Sequence, residues 1–224
     1  MSTENLQNSF RYERKYKLNA SDYNVLANRL FSEKMKIHHP PRYINNIYFD
    51  TLGLDAYFEN VEGESERNKY RVRWYGNRFN LIQPTFEVKM KKDQVNRKVS
   101  VKLPEVEFRR FSDAETIYNH TLAFLNEHEK SLYFDMFNKV PTLLNGYQRD
   151  YFVSLDGTTR LTIDKDLFFY NCKNGQFYDH KEMIIVEVKY ASDVEPNVNF
   201  EAFDLILGKS SKYVSGLNFT KLKQ

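Results

Sequence analysis

Arg67-Asn68-Lys69-Tyr70-Arg71-Val72-Arg73-Trp74-Tyr75 alternates basic with apolar or aromatic side chains at a period of two. Successive side chains of a strand point to opposite faces, so residues two apart share one. Arg67, Lys69, Arg71 and Arg73 therefore line one face, opposite Tyr70, Val72 and Trp74. The same pattern returns on either side. Over 85–91, Glu87, Lys89 and Lys91 oppose Phe86, Val88 and Met90, and over 97–103, Lys98, Ser100 and Lys102 oppose Val99, Val101 and Leu103. Upstream, over 10–18, Arg11, Glu13 and Lys15 face away from Phe10, Tyr12, Tyr16 and Leu18, with Arg14 beside the latter set. Downstream, Tyr147 shares a face with Arg149, and Arg160 with Thr162 and Asp164. Glu187 and Lys189 oppose Val186, Val188 and Tyr190.

Between these strands the pattern changes. Ser21 opens a helical stretch to about 34, and His38-His39-Pro40-Pro41 breaks it before a strand over 43–50. A short irregular or helical piece follows near 54–58, with turns at 62–65 and 76–80. Ser112-x-x-Glu115 reads as a capping box that opens a helix to about 126, and 131–139 is helical as well. Strands over 146–155 and 160–168 form a hairpin about Asp156-Gly157, and 183–190 is the last strand. A short helix over 200–207 would stop at Gly208. The expected architecture is α+β but mainly β: an antiparallel closed β-barrel tunnel with a polar lumen and a few flanking helices, residues 1–224 forming one domain.

Composition agrees with strands. The 18 Phe and 16 Tyr favour them over helices. A net charge of +3 does not suit a general nucleic-acid binder, so the arrangement of the charges matters more than their sum. Cys172, the single cysteine, rules out an internal disulfide and suits a reducing compartment. With no signal-peptide pattern and no long apolar run, a cytoplasmic location is expected.

An ordinary sheet with one face in water explains any single strand. It explains the set less well, because the polar faces are rich in Arg and Lys and poor in Ser, Thr and Gln. Glu-x-Lys also recurs at Glu13/Lys15, Glu87/Lys89 and Glu187/Lys189. Cations crowded into one lumen repel unless an anion sits among them. Phosphate matches Arg forks and Lys point charges, and the Glu side chains would hold Mg²⁺ or Mn²⁺ beside it.

Arg11-Tyr-Glu-Arg-Lys15, Tyr48-Phe-Asp-Thr51, Tyr70-Arg-Val-Arg73, Glu87-Val-Lys89, Tyr147-Gln-Arg149, Arg160-Leu-Thr-Ile-Asp164, Val186-Glu-Val-Lys189 and Lys209-Ser-Ser-Lys-Tyr213 occur in that order. Together, over about residues 9 to 218, they resemble the VTC (vacuolar transporter chaperone) domain, the polyphosphate polymerase branch of the triphosphate tunnel metalloenzymes. The resemblance implies a metal-dependent enzyme that transfers the terminal phosphoryl group of ATP to a growing polyphosphate. It implies catalytic roles for Arg71, Arg73, Lys89 and Arg160. Substrate phosphates would be bound by Lys15, Lys98 (or Lys102), Tyr147, Arg149, Lys189, Lys209, Ser211 and Lys212. Glu187 would be the main metal ligand, with Glu13 and Glu87. The inositol-phosphate-sensing domain and membrane helices of eukaryotic members have no counterpart here, so coupling to translocation would need a membrane partner.

Other signals are weaker. Neither a Walker A sequence nor Gly-x-Gly-x-x-Gly occurs. His38 and His39 beside two prolines read as loop residues rather than metal ligands, Cys172 as inert, and Trp74 as packing. For Arg160 the competing reading is a structural salt bridge. Two other functions fit the same residues: a metal-dependent triphosphatase, and a non-catalytic polyphosphate sensor. A lumen position also implies that Arg71→Ala loses phosphate binding with little loss of stability.

Overall fold

Where the alternation is strongest the chain forms strands, and where it lapses into helical spacing it forms helices. The structure, a computed structural model, describes residues 11–93, 95–191, 206–208 and 210–221. In chain order the elements are β1 (Arg11–Asn19), α1 (Tyr23–Ser32), β2 (Met35–Asp50), α2 (Asp55–Glu62), β3 (Glu66–Tyr75), β4 (Asn80–Ile82), β5 (Thr85–Lys92), β6 (Val95–Lys102), β7 (Val106–Phe108), α3 (Ala114–His128), α4 (Lys130–Met136), β8 (Val140–Ser154), β9 (Thr159–Asn171), β10 (Phe177–His180), β11 (Met183–Ala191), β12 (Ile206–Leu207) and α5 (Lys212–Thr220). The described residues are thus mainly antiparallel β with five α-helices. None of these helices is long and apolar enough to cross a membrane.

The chain divides into two compact units, one of residues up to 42, 148–166 and 181–210, the other of 43–147, 167–180 and 211 onward. In the first, the strand order is β12-β1-β11-β9-β8. Its apolar face packs Tyr16, Leu161, Ile163, Val186 and Val188 against Leu26 and Leu30 of α1. In the second, the order is β9-β8-β2-β3-β5-β6, with β10 beside β9 and a separate β4-β7 pair. Its core joins Tyr70, Val72, Trp74, Phe86 and Val88 to Ile117 and Leu125 of α3 and Met136 of α4. No described pairing closes either order on itself.

Three expectations change. β2 starts at Met35 and runs through His38-His39-Pro40-Pro41, so the two histidines lie on a strand, not in a loop. Proline's fixed φ suits extended chain, and residues 36–43 are exposed, where a missing N–H does least harm. α3 begins at Ala114, after a 3-10 turn at Phe111–Asp113; Asp113 Oδ2, rather than Ser112, accepts the Arg109 and Arg110 amides at 3.2 Å each. Ile206–Leu207 is a strand paired with Tyr16 and Lys17, not the end of a helix, while 200–205 lie outside the described residues. The backbone ladder with β1, continued by the Gly208 amide on the Lys15 carbonyl at 3.0 Å, satisfies groups that an isolated helical turn would leave open.

α5 was not expected at all. Ser211 caps it, its Oγ accepting the Val214 amide at 3.4 Å. The helix lies close because residue 216 has no side chain. A Cβ there would stand 2.5 Å from both Leu143 Cδ2 and Phe169 Cδ1. Gly216→Val should therefore lower stability by roughly 1–3 kcal/mol through overpacking, read as a lower urea midpoint.

Candidate functional site

In the second unit, β-sheet register places the charged residues in rows across the strands. Tyr48, Arg71, Glu87 and Ser100 stand directly opposite one another across β2, β3, β5 and β6. The next row is Asn46, Arg73, Thr85 and Lys102; another is Lys69, Lys89 and Lys98. Facing residues on neighbouring strands are close enough to pair, and they do. Arg71 donates from Nε and Nη2 to Glu87 Oε2, at 2.8 and 2.6 Å. Lys98 donates to Glu87 Oε1 at 3.1 Å, and Arg73 Nη1 lies 3.9 Å from Oε2. Three cations share one carboxylate. Lys98, rather than Lys102, is the β6 lysine that reaches it.

The face is solvated along β6, where Lys98 is 56% exposed, but not at its centre. The Glu87 side chain is 7% exposed, Arg73 12% and Arg71 19%. Burial pushes the Glu87 carboxyl up, but Arg71, Arg73 and Lys98 outweigh it and hold it down at about 2. Burial pulls Arg71 down, yet Tyr48, Glu87 and Tyr147 raise it above its ordinary value. Around the group, Tyr147 Oη accepts from Arg73 Nη2 at 3.4 Å, and Lys212 Nζ lies 4.5 Å from the Tyr147 ring centre. Lys69 donates to Ser211 Oγ at 3.2 Å, so the α5 cap is also a partner of the basic row.

In the first unit the charges close on themselves. Lys15 stands opposite Glu187, and Glu13 opposite Lys189. Lys15 meets Glu13 at 2.8 Å and Glu187 at 3.8 Å; Lys189 meets Glu187 at 2.7 Å and Glu13 at 4.0 Å. Two ammonium groups and two carboxylates make a square with no net charge. Burial raises the Glu187 carboxyl, but Lys15, Lys189 and Arg149 bring it well below the ordinary carboxylate range. Arg149 is itself paired fork to fork with the fully buried Asp164, Nη2 to Oδ2 at 2.7 Å. Around Glu87 the bases thus outnumber the carboxylate three to one, while Lys15, Lys189 and Arg149 are each met by carboxylates. Arg160, opposite Lys189, is exposed and has no ion pair among the described residues.

Lys209 lies outside the described residues. No three His, Cys, Asp or Glu side chains gather as a metal-binding group among the described residues. Glu13 and Glu187 nevertheless fit a hard divalent ion. They are oxygen donors brought together by the same two ammonium groups, and such ions are commonly held by one or two carboxylates plus phosphate oxygens. Both Glu87 oxygens accept hydrogen bonds from bases, Oε2 from Arg71 and Oε1 from Lys98, whereas Glu13 Oε2 and Glu187 Oε2 stand 4.0 and 3.8 Å from their lysines; this fits Glu87 better as a holder of bases than as a ligand.

Sequence reasoning overlooked Asn46 and Asn145. Asn46 Oδ1 accepts from Arg73 Nε at 2.8 Å, and its Nδ2 donates to Asn145 Oδ1 at 2.8 Å. A signal was present, since Asn46 falls two residues before Tyr48 on the same face. The remaining side reading held for Trp74, which is buried against Phe108. Cys172 is partly buried, with burial pushing its thiol up to about 12.

A family model described as the VTC domain matches residues 10–221. No curated protein matches the chain in sequence. Among solved structures, a Vibrio parahaemolyticus protein provisionally described as an adenylate cyclase is similar at 13% identity and a TM-score of 0.51, covering 93% of this chain and 99% of that one. A Hippeastrum protein provisionally described as an adenylyl cyclase, with a dominant triphosphatase activity, is similar at 13% identity and 0.53, covering 95% and 98%. A Bacillus halodurans protein, also provisionally described as an adenylate cyclase, gives 11% and 0.51, covering 92% and 96%. These likenesses show a shared fold.

Two outcomes follow from the pairing of Arg71 with Glu87. Arg71→Ala, expected from sequence to be mild, should instead cost roughly 3 kcal/mol of stability, because it strips a buried carboxylate of its nearest partner; chemical denaturation would show it. The Glu87 carboxyl is depressed in the fold, so its contribution is present above the unfolded pKa and is lost as pH falls toward about 2. Stability should drop by on the order of 2–3 kcal/mol between pH 5 and 2 from this group, and Glu87→Gln should flatten that part of the melting-temperature profile.

Proposed function

The chain belongs to the VTC domain family, and from that premise we propose that it is a polyphosphate polymerase, moving the terminal phosphoryl group of ATP onto a growing inorganic polyphosphate. The observation that carries the reading is the sharing of one carboxylate, Glu87, by Arg71, Arg73 and Lys98. Three bases on one carboxylate, the two guanidinium groups largely buried, are complementary to a chain of phosphates. The reading takes the charged faces of the strands to line a closed tunnel.

Phosphoryl transfer asks the protein mainly to position the reactants and spread charge. In this proposal Arg71, Arg73, Lys89 and Arg160 hold the transferring group. Lys15, Lys98, Tyr147, Arg149, Lys189, Lys209, Ser211 and Lys212 hold the rest of the phosphate chain. Glu187 and Glu13 would hold Mg²⁺ or Mn²⁺, which when bound supplies further neutralisation of phosphate charge. The acceptor is already an anion, so no general base is required. We place the reaction in the cytoplasm, with any translocation left to a membrane partner.

One observation favours a second reading. The Hippeastrum protein that shares the fold is described by a triphosphatase activity, and the same cations would serve hydrolysis of a triphosphate. Product decides between the two. With ATP and Mn²⁺, the unaltered chain should make polyphosphate and Glu187→Ala should lose it by at least tenfold. Orthophosphate without polyphosphate would replace the polymerase with a hydrolase, and tight binding without either product would make the chain a sensor.

A further inference from the structure

Arg71 and Arg73 are neighbours on one face of β3, yet they are held by opposite means. Arg71 gives both Nε and Nη2 to a carboxylate oxygen of Glu87. Arg73 gives its Nε to an uncharged amide, Asn46 Oδ1, at 2.8 Å, and only reaches Glu87 at 3.9 Å. Register fixes this difference: Glu87 is directly opposite Arg71, and Asn46 directly opposite Arg73. The other residue facing Arg73 is Thr85, also uncharged.

Asn46 is fully buried, and Asn145 on β8 is 1% exposed. Asn46 Nδ2 donates to Asn145 Oδ1, which turns the Asn46 carbonyl toward the guanidinium. Asn145 Nδ2 is left buried without a hydrogen-bond partner. An aspartate at position 46 would still accept Arg73 Nε, and a turned Asn145 could give its Nδ2 to the second oxygen, its Oδ1 then taking the unpartnered place. Either residue could therefore orient the guanidinium. The chain carries the amide, which leaves the 3.9 Å approach to Glu87 as the carboxylate contact of Arg73 among the described residues.

We infer that Asn46, oriented by Asn145, is a positioning residue that fixes Arg73 without neutralising it, so that Arg73 rather than Arg71 presents the stronger cation to the anionic ligand. This inference rests on the phosphate-binding reading of the same face. A neutral acceptor gives the guanidinium a fixed orientation, while a carboxylate in its place would compete with phosphate for the same charge. Arg71 plays the complementary part, its charge shared with Glu87 until a ligand arrives.

The test is calorimetric binding of inorganic tripolyphosphate, without metal, to the full chain and to Asn46→Asp and Asn46→Ser, with thermal melting alongside. Asn46→Asp should melt within a few degrees of the unaltered chain or above it, yet bind at least tenfold more weakly, and Asn46→Ser should lose less. Equal binding by Asn46→Asp would overturn the inference, as would equal losses in the two variants, which would reduce Asn46 to geometry alone. If Asn46→Asp does not fold, Arg73→Gln must lose more affinity than Arg71→Gln, and the reverse order overturns the inference. Absence of binding by the unaltered chain would overturn the phosphate reading and this inference with it.

Discussion

Glu87 is a carboxylate with 7% of its side chain exposed, set among Arg71, Arg73 and Lys98. A lone charge in that position would be too costly to keep ionised, so its partners must arrive with it. They do so through register. Arg71 is directly opposite Glu87 across β3 and β5, and a slip by one residue would turn the bases onto the apolar face and Tyr70, Val72 and Trp74 onto the charged one. The ion pair and the hydrophobic core therefore specify the same pairing. Burial of Trp74, Phe86 and Val72 beneath α3 and α4 and the meeting of Arg71 with Glu87 are two faces of one constraint.

The same rule gives a different result in the other unit. Glu13 and Glu187 alternate with Lys15 and Lys189 around a square, and Arg149 is matched to Asp164. Within these two groups the charges balance, whereas around Glu87 three bases meet one carboxylate. A divalent ion and a phosphate chain differ in just this way, one seeking carboxylates and the other bases. The lysines around Glu187 outweigh its burial and depress its carboxyl, so its oxygens stay ionised at neutral pH.

Ion pairing also revises how single residues should be regarded. A guanidinium on a polar face looks dispensable to folding when only its own strand is considered. Arg71 is not, because removing it takes both guanidinium hydrogen bonds from a buried carboxylate oxygen of Glu87. Ser211, chosen by resemblance as a phosphate partner, turns out to cap α5 and to accept from Lys69 as well. Such dual roles mean that a loss of activity on mutation needs a stability measurement beside it.

By itself the sequence determined which faces of the strands are apolar and which charged, and that most of the candidate bases lie on the charged ones. That much follows from a local rule, the period-two alternation of Arg67 to Trp74 and its repeats, which needs no knowledge of neighbours. It did not reveal that β2 continues through Pro40 and Pro41, that Ser211 starts a helix, or that Ile206 and Leu207 pair with β1. Each of these depends on a partner distant in the chain that supplies hydrogen bonds or packing. Nor could it say which base meets which acid. Lys98 rather than Lys102 on Glu87, and an amide rather than a carboxylate on Arg73, are decided by cross-strand register, because charges pair through space and not along the sequence.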